Sequence, residues 1–300
     1  MRVLITGSHG LIGGALAAAL RRGGHEVTPV VRSRLPGPGE AAWDPKEGTA
    51  GAAAMEGHDA AVHLAGAGIG DHRWTRRYRE EVLASRTRGT TLLATTLAGL
   101  DRPPAVLVSG SAVGFYGDRG DESLTEDDGP GAGFLAEVVR QWEASTAPAE
   151  EAGIRVVHAR SGVVQSPSGG ALGRLLLPFR LGVGGRWGSG RQWLSWVHVD
   201  DEVGAIRHAI ENADLRGPVN VTSPNPVRVG DYARALGRAV RRPALLPTPT
   251  VALYALLGRQ MTQEMMLGGQ RVLPAKLQAS GYAFRHPDLD EALGDCAGRG

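Results

Sequence analysis

Three glycines and one arginine near the amino terminus carry the clearest chemistry in the chain. Gly7, Gly10 and Gly13 fall between the apolar run Val3–Leu4–Ile5 and a segment whose Leu11, Ile12, Ala15, Leu16 and Leu20 recur at helical spacing. Glycines at those offsets, where a strand becomes a helix, form the pattern of a phosphate cradle. Gly7 permits a tight turn, Gly10 lets backbone approach a pyrophosphate, and Gly13 lets the helix sit close to the strand. The helix N-terminus adds free N–H groups and the positive end of its dipole. A glycine triplet alone is weak evidence, but its place between strand and helix makes it a strong sign of a dinucleotide site. The second strand ends at Arg32 and Ser33. An NAD site places Asp or Glu there against the ribose 2′-OH, whereas Arg accommodates a 2′-phosphate. Arg32 and Ser33 therefore point to NADP(H) over NAD(H).

The elements needed to hold such a cradle follow along the chain. AAWDP at 41–45 reads as a short strand, with Asp44 placed either to accept from an adenine amino group or to cap the next turn. DAAVHLAGAGI at 59–69 reads as a buried strand and a glycine-rich loop, and AVLVSGSAVGFYG at 105–117 as another apolar strand with hydroxyls at its exit. A helical region containing Glu81, Arg86 and Leu92 lies between them; residues 134–147 suit a helix, and 155–164 a strand. This alternation predicts a parallel, doubly wound α/β sheet. Residues 169–195 read as glycine-rich loops on the substrate side, 196–210 resume strand-to-helix patterning, and 213–300 form a smaller lobe.

Composition narrows the class. Three hundred residues, 42% of them hydrophobic, can bury a large core. The formal charge is only +2 and the basic residues are scattered, which leaves nucleic acid without an electrostatic footprint. Cys296 is the sole cysteine, so no intrachain disulfide or cysteine-based zinc site can form, and a reducing cytoplasm fits best. No stretch has membrane-spanning character, no membrane partner is expected, and the nine histidines show no spaced metal pattern.

In order along the chain, TGSHGLIG, WDP, HLAGAGI, SRTRGT, SGSAVGFYG, FLAEVVRQWE, RSGVV, GGRWGSGRQWLSWVHVDD and GPVNVTSPNPV resemble the epimerase-like branch of the extended short-chain dehydrogenase/reductase superfamily. The resemblance implies a Rossmann-type lobe over residues 1–165, rejoined by 196–212, and a smaller C-terminal α/β substrate lobe. It implies NADP(H) in the cleft between them, a small-molecule substrate, and a homodimer through sheet-flanking helices. By motif position, Gly7, Gly10, Ile12 and Gly13 would surround the pyrophosphate, Arg32 and Ser33 the adenosine-side phosphate, and Leu64, Ala65 and Gly66 the ribose path. Arg86 would bind phosphate or ribose, or else pair with Glu81. Val163 would meet the nicotinamide or serve as core.

Catalysis is where the sequence departs from the family. Its reductases and epimerases use a Ser or Thr, a Tyr and a Lys; Ser111 matches the hydroxyl position, with Ser109 as alternative. The Tyr-x-x-x-Lys pair is absent: its region holds Phe134 or Leu135 and Val138 or Val139, and the only lysines are Lys46 and Lys276. Tyr116 is the nearest substitute proton donor, and Glu137 or Glu143 could serve if burial raised its pKa. Arg174, Arg180, Arg186 and Arg191, with Trp187, Trp193 and Trp196, would suit an anionic, stacked ligand. His198 and Asp200 form an acid–base dyad only on a regular strand, and structural placement is favoured. Two functions follow: an NADP(H)-dependent oxidoreductase or epimerase, or an NADP(H)-binding sensor or scaffold.

Overall fold

The computed structural model describes residues 1–32 and 35–298, so Ser33 lies outside the described residues. Eight strands form one sheet: β1 (Arg2–Thr6), β2 (Glu26–Val31), β3 (Ala41–Asp44), β4 (Thr49–Ala50), β5 (Ala60–His63), β6 (Val106–Ala112), β7 (Arg155–Ser161) and β8 (Gly217–Val221). Their spatial order is β8-β7-β6-β5-β1-β2-β3-β4, parallel throughout except for the β3–β4 hairpin. Chain direction across the sheet reverses at β1, which lies between β2 and β5. That reversal opens a crevice beyond the carboxyl ends of the strands, the usual ligand position in open α/β sheets.

Period-two alternation assigns the two faces. Val3 and Ile5 join Val62, Val108 and Val157 under α1 (Leu11–Arg22) and a long helix at Val199–Glu211, whereas Leu4, Ala61, Leu107 and Val156 face Leu93 and Leu97 on the opposite side. The latter two belong to α2 (Arg76–Ala98), flanked by α3 (Phe134–Ala144) and α4 (Ala147–Glu151). The smaller lobe has its own core, in which Trp187, Trp196, Tyr232, Leu236 and Cys296 are buried.

Three expectations about boundaries change. The helix expected over 134–147 ends at Ala144, and α4 begins at Ala147 with Pro148 in its first turn. The glycine-rich stretch expected as loops contains α5 (Gly170–Arg180), whose Leu172, Leu176 and Phe179 recur at helical spacing and are buried. Gly217–Val221, expected in the small lobe, is the edge strand of the main sheet; it pairs only with β7, and an edge tolerates Pro218. Trp196–His198 does not enter that sheet. It pairs with Val163–Gln165, and the chain returns to the large lobe through the helix that follows, α6 (Val199–Glu211).

Arg155 fastens α6 to the sheet. Its Nη1 donates to the carbonyls of Ala209 (2.9 Å) and Leu215 (2.7 Å), and its Nη2 to that of Ile210 (3.0 Å). A cation thus meets the negative end of a helix dipole and the carbonyls left open there. Arg155→Ala should lower unfolding free energy by about 1.5–3 kcal/mol in urea titrations. An unchanged midpoint would show that water replaces the guanidinium without cost.

Candidate active site

The cradle is built by steric contact before any ligand is considered. Gly7 has φ +68°, and a Cβ there would lie 2.8 Å from the carbonyl carbon and oxygen of Leu64; a Cβ on Gly13 would lie 2.2 Å from the Gly7 oxygen. Only glycine allows strand, turn and helix to close this tightly. Gly10 is the N-cap of α1, offers no side-chain cap, and the first turn has no acidic residue. The N–H groups of Leu11, Ile12 and Gly13 therefore lack intrahelical partners and face the crevice mouth with the dipole's positive end.

Thr6, which the sequence reading passed over, braces the opposite wall. Its Oγ1 accepts from the N–H of Leu64 (3.1 Å) and of Ala65 (3.3 Å) and lies 2.7 Å from His63 Nδ1. Since that hydroxyl already accepts twice, its own hydrogen goes to Nδ1, which leaves the imidazole proton on Nε2. His63 is wholly buried; burial, helped by the charge of Arg86, pushes its pKa down to about 4, so it is neutral. Arg86 Nη1 donates to the carbonyls of Ala67 (2.9 Å) and Val82 (3.2 Å), and its guanidinium lies 5.0 Å from the Trp142 ring. The alternative pairing with Glu81 does not form. Five positions on a helix are about 140° apart, and Glu81 is exposed.

Past the end of β2, Arg32 is exposed and lines a cleft of about 470 Å³ with Trp43, Asp44 and Thr49. Asp44 Oδ1 accepts from the N–H of Lys46 (2.9 Å) and Glu47 (3.3 Å), so it caps its own turn.

The catalytic region holds a buried polar row. Register places Ser111, Arg160 and Asn220 side by side on β6, β7 and β8. Ser111 Oγ donates to Glu143 Oε1 (2.6 Å); Arg160 grips both carboxylate oxygens of Glu143 (2.7 and 2.8 Å) and donates to Tyr116 Oη (3.0 Å). Tyr116 in turn donates to Asn220 Oδ1 (2.8 Å). This corrects the proposed role of Tyr116. It is 0% exposed, its single hydrogen goes to Asn220, and burial raises its pKa, so it cannot reach a substrate in the cleft. Glu137 is ruled out as an acid differently: it is exposed, and hydrogen bonds from Arg140 and Gln141 hold its pKa down to about 2. The sequence reading passed over Arg160, a cation inside the strand RVVHARS two positions from His158 and so on the same face.

Val163 is half-buried at the start of the strand that leaves the sheet. Beside it, Ser161 Oγ donates to Glu202 Oε1 (2.5 Å). Glu202 is wholly buried, and burial pushes its pKa up to about 8. Of the three tryptophans expected on the substrate side, Trp187 and Trp196 are core residues whose indoles donate to the Met266 and Asn225 carbonyls. Trp193 is partly exposed; its ring carries Arg228 at 4.0 Å and Arg271 at 4.7 Å, Nε1 donates to Asp121 (2.9 Å), and Asp121 also forms an ion pair with Arg228. His198 is fully buried and caps α6, its Nδ1 accepting from the Asp200 N–H (3.1 Å) rather than hydrogen-bonding to the Asp200 carboxylate, while its Nε2 lies 3.2 Å from Asp295 Oδ2. The fold does bring His198, Asp200 and His286 together, with one potential ligand atom from each within 4.8 Å of the others.

The chain can be set beside known proteins on this geometry. The NAD dependent epimerase/dehydratase family matches residues 3–222, and a domain of unknown function, DUF1731, matches 248–296. The epimerase family protein Mb2239 of Mycobacterium bovis is 43% identical over 292 residues, covering 97% of this chain and 96% of its own. Human epimerase family protein SDR39U1 is 40% identical over 300 residues, 98% of each chain. A crystal structure of human SDR39U1 (isoform 2) with NADPH superposes with a TM-score of 0.92 at 38% identity over 99% of both chains.

Two outcomes follow from the buried acids. Glu143→Ala would leave the Arg160 guanidinium buried and unpaired, and should cost about 3–5 kcal/mol in chemical denaturation; a loss below about 1 kcal/mol would mean that Arg160 finds water. Glu202 has a folded pKa above its unfolded one, so its stabilising effect is complete below the ordinary carboxylate range and is lost as pH rises towards about 8. Glu202→Gln should accordingly melt higher than the parent at pH 8 and flatten the pH dependence of Tm; parallel curves would refute the assignment.

Proposed function

Because the chain belongs to the NAD dependent epimerase/dehydratase family, we propose that it is an NADP(H)-binding oxidoreductase or epimerase acting on a small hydroxyl or carbonyl compound. The observation that carries this reading is the uncapped, acid-free N-terminus of α1 above the Gly7–Gly13 contact, with Arg32 exposed at the end of β2. The Gly13–Gly7 cradle would clash with any side chain at position 13, and the three N–H groups fit a pyrophosphate. Arg32 would take the 2′-phosphate. The human relative, crystallised with NADPH, supports the same choice.

When bound, the nicotinamide supplies hydride exchange at its C4. The residues of this chain orient and move protons around that step. Leu64, Ala65 and Gly66, braced by Thr6, wall the ribose path. Ser111 directs its hydrogen to Glu143, which leaves its lone pairs to accept a hydrogen bond from a substrate hydroxyl. That polarity suits an alcohol more than a carbonyl, since Ser111 Oγ could take the hydroxyl proton while passing its own to Glu143 Oε1. Arg228 and Arg271 stacked on Trp193, with one charge offset by the Asp121 carboxylate that pairs with Arg228, leave a net positive subsite that suits a phosphate-bearing compound such as a nucleotide sugar.

A second reading, an NADP(H)-binding sensor or scaffold, is favoured by one observation: the nearest tyrosine, Tyr116, is sealed in the interior without an ammonium neighbour.

Calorimetric titration tests the cofactor. Arg32→Asp should weaken NADPH by about 2 kcal/mol, roughly thirtyfold, and NADH far less; equal losses would remove the phosphate role. NADPH oxidation against carbonyl compounds, with product analysis on nucleotide sugars, separates the two readings. Ser111→Ala should abolish turnover while leaving NADPH affinity intact if the chain is an enzyme, whereas tight binding with no turnover on any substrate supports the sensor.

A further inference from the structure

Seven of the nine large apolar side chains exposed among the described residues fall in two short stretches, 177–183 and 245–256. Leu177, Leu181 and Val183 stand at the end of α5; Leu245, Leu246, Val251 and Leu256 follow in the second stretch, each more than half exposed. The stretches lie side by side. Arg242 Nε donates to the Arg180 carbonyl (3.2 Å), Thr248 N–H to that of Arg186 (2.8 Å), and a Cβ on Gly185 would strike the Leu246 oxygen at 2.3 Å. The helix Thr250–Leu257, TVALYALL, carries no charge and buries only Leu253. A helix apolar on every side is ordinarily covered, and a contiguous exposed apolar patch marks an interaction surface.

Charge identifies what covers it. No Asp or Glu occurs in residues 152–199 or 232–263. Arg180, Arg186, Arg241, Arg242 and Arg259 are exposed around the leucines, and none of them forms an ion pair with a carboxylate among the described residues. Two copies meeting through this face would bring like charges together over their apolar contact. An anionic lipid surface complements both features at once. Phosphates meet the guanidiniums, and the headgroup–acyl boundary takes the leucines. The helix Thr250–Leu257 is 8 residues long and no helix among the described residues is long and apolar enough to cross a membrane, so the contact is peripheral.

We propose that this face docks the protein on an anionic lipid bilayer, through exposed leucines of α5 and of the 245–256 stretch rimmed by acid-free arginines. The sequence reading expected no membrane partner because it looked for a spanning segment; a surface patch assembled from two distant stretches leaves no such run. The site is remote from the Gly7 cradle in sequence and independent of the cofactor reading.

Co-sedimentation of the full chain with phosphatidylcholine–phosphatidylglycerol vesicles, against phosphatidylcholine alone, tests it. Pelleting is expected with the mixed vesicles and should weaken as salt rises. Leu177→Glu with Leu256→Glu should reduce binding at least about tenfold, and Arg241→Gln with Arg242→Gln roughly fivefold per arginine. All four positions are exposed, so melting temperature and NADPH titration, run beside the parent, check that folding is intact. A chain that stays in the supernatant with both vesicle types overturns the proposal. So does concentration-dependent dimerisation in sedimentation velocity that Leu177→Glu abolishes without any vesicle binding, which would assign the face to a second copy.

Discussion

The contact between Gly13 and the Gly7 carbonyl is the constraint from which the cleft is built. A Cβ at position 13 would sit 2.2 Å from that oxygen, so β1 can turn into α1 this sharply only with glycine present. The closeness has two consequences. It presses the Gly7 turn against Leu64, where a second Cβ would clash, and so sets the width of the crevice between the β1 and β5 exits. It also aims the uncapped first turn of α1 across that crevice. Thr6 then completes the wall from the β1 side by holding the Leu64 and Ala65 amides. The cradle's walls are thus held by sterics and hydrogen bonds within the chain itself.

A second constraint operates one strand further on. Beside Ser111 this chain buries a carboxylate and a guanidinium that satisfy each other: Glu143 and Arg160, with Ser111 on one side and Tyr116 and Asn220 on the other. Burying such a pair is costly, and apolar replacements are often as stable. Its geometry is nonetheless nearly complete, with the guanidinium also 3.5 Å from the Phe115 ring. The arrangement fixes the direction of one hydroxyl hydrogen at the edge of the cleft.

Local features were the legible ones. The glycine turn, the strand exits at Leu64 and Ser111, and the parallel sheet could be read because each depends on spacing within about ten residues. Features that depend on register between distant strands could not. Nothing in the sequence places Arg160 opposite Ser111 and Asn220, yet that alignment seals Tyr116 in the interior. Glycine content misled at 169–180: Gly169 and Gly170 adopt positive φ at the start of a helix whose Leu172, Leu176 and Phe179 anchor the small lobe. Pro218 misled as well, since a proline argues against a central strand but not against an edge.

The small lobe bears on the cleft through α3. Glu264, in a π-helical turn at Gln263–Leu267, accepts from the Leu135 N–H (2.9 Å) at the start of α3, and Gln260 bridges to Glu264 (2.9 Å) and accepts from Arg79 of α2 (2.7 Å). A carboxylate at a helix N-terminus is favourable on both hydrogen-bonding and dipole grounds. The same helix carries Trp142 against Arg86 and Glu143 against Ser111. The 260–267 segment is thus hydrogen-bonded to both α2 and α3, the elements that carry Arg86 and Glu143. It follows the exposed helix Thr250–Leu257 in the chain, so one short stretch of backbone connects the apolar face to both helices.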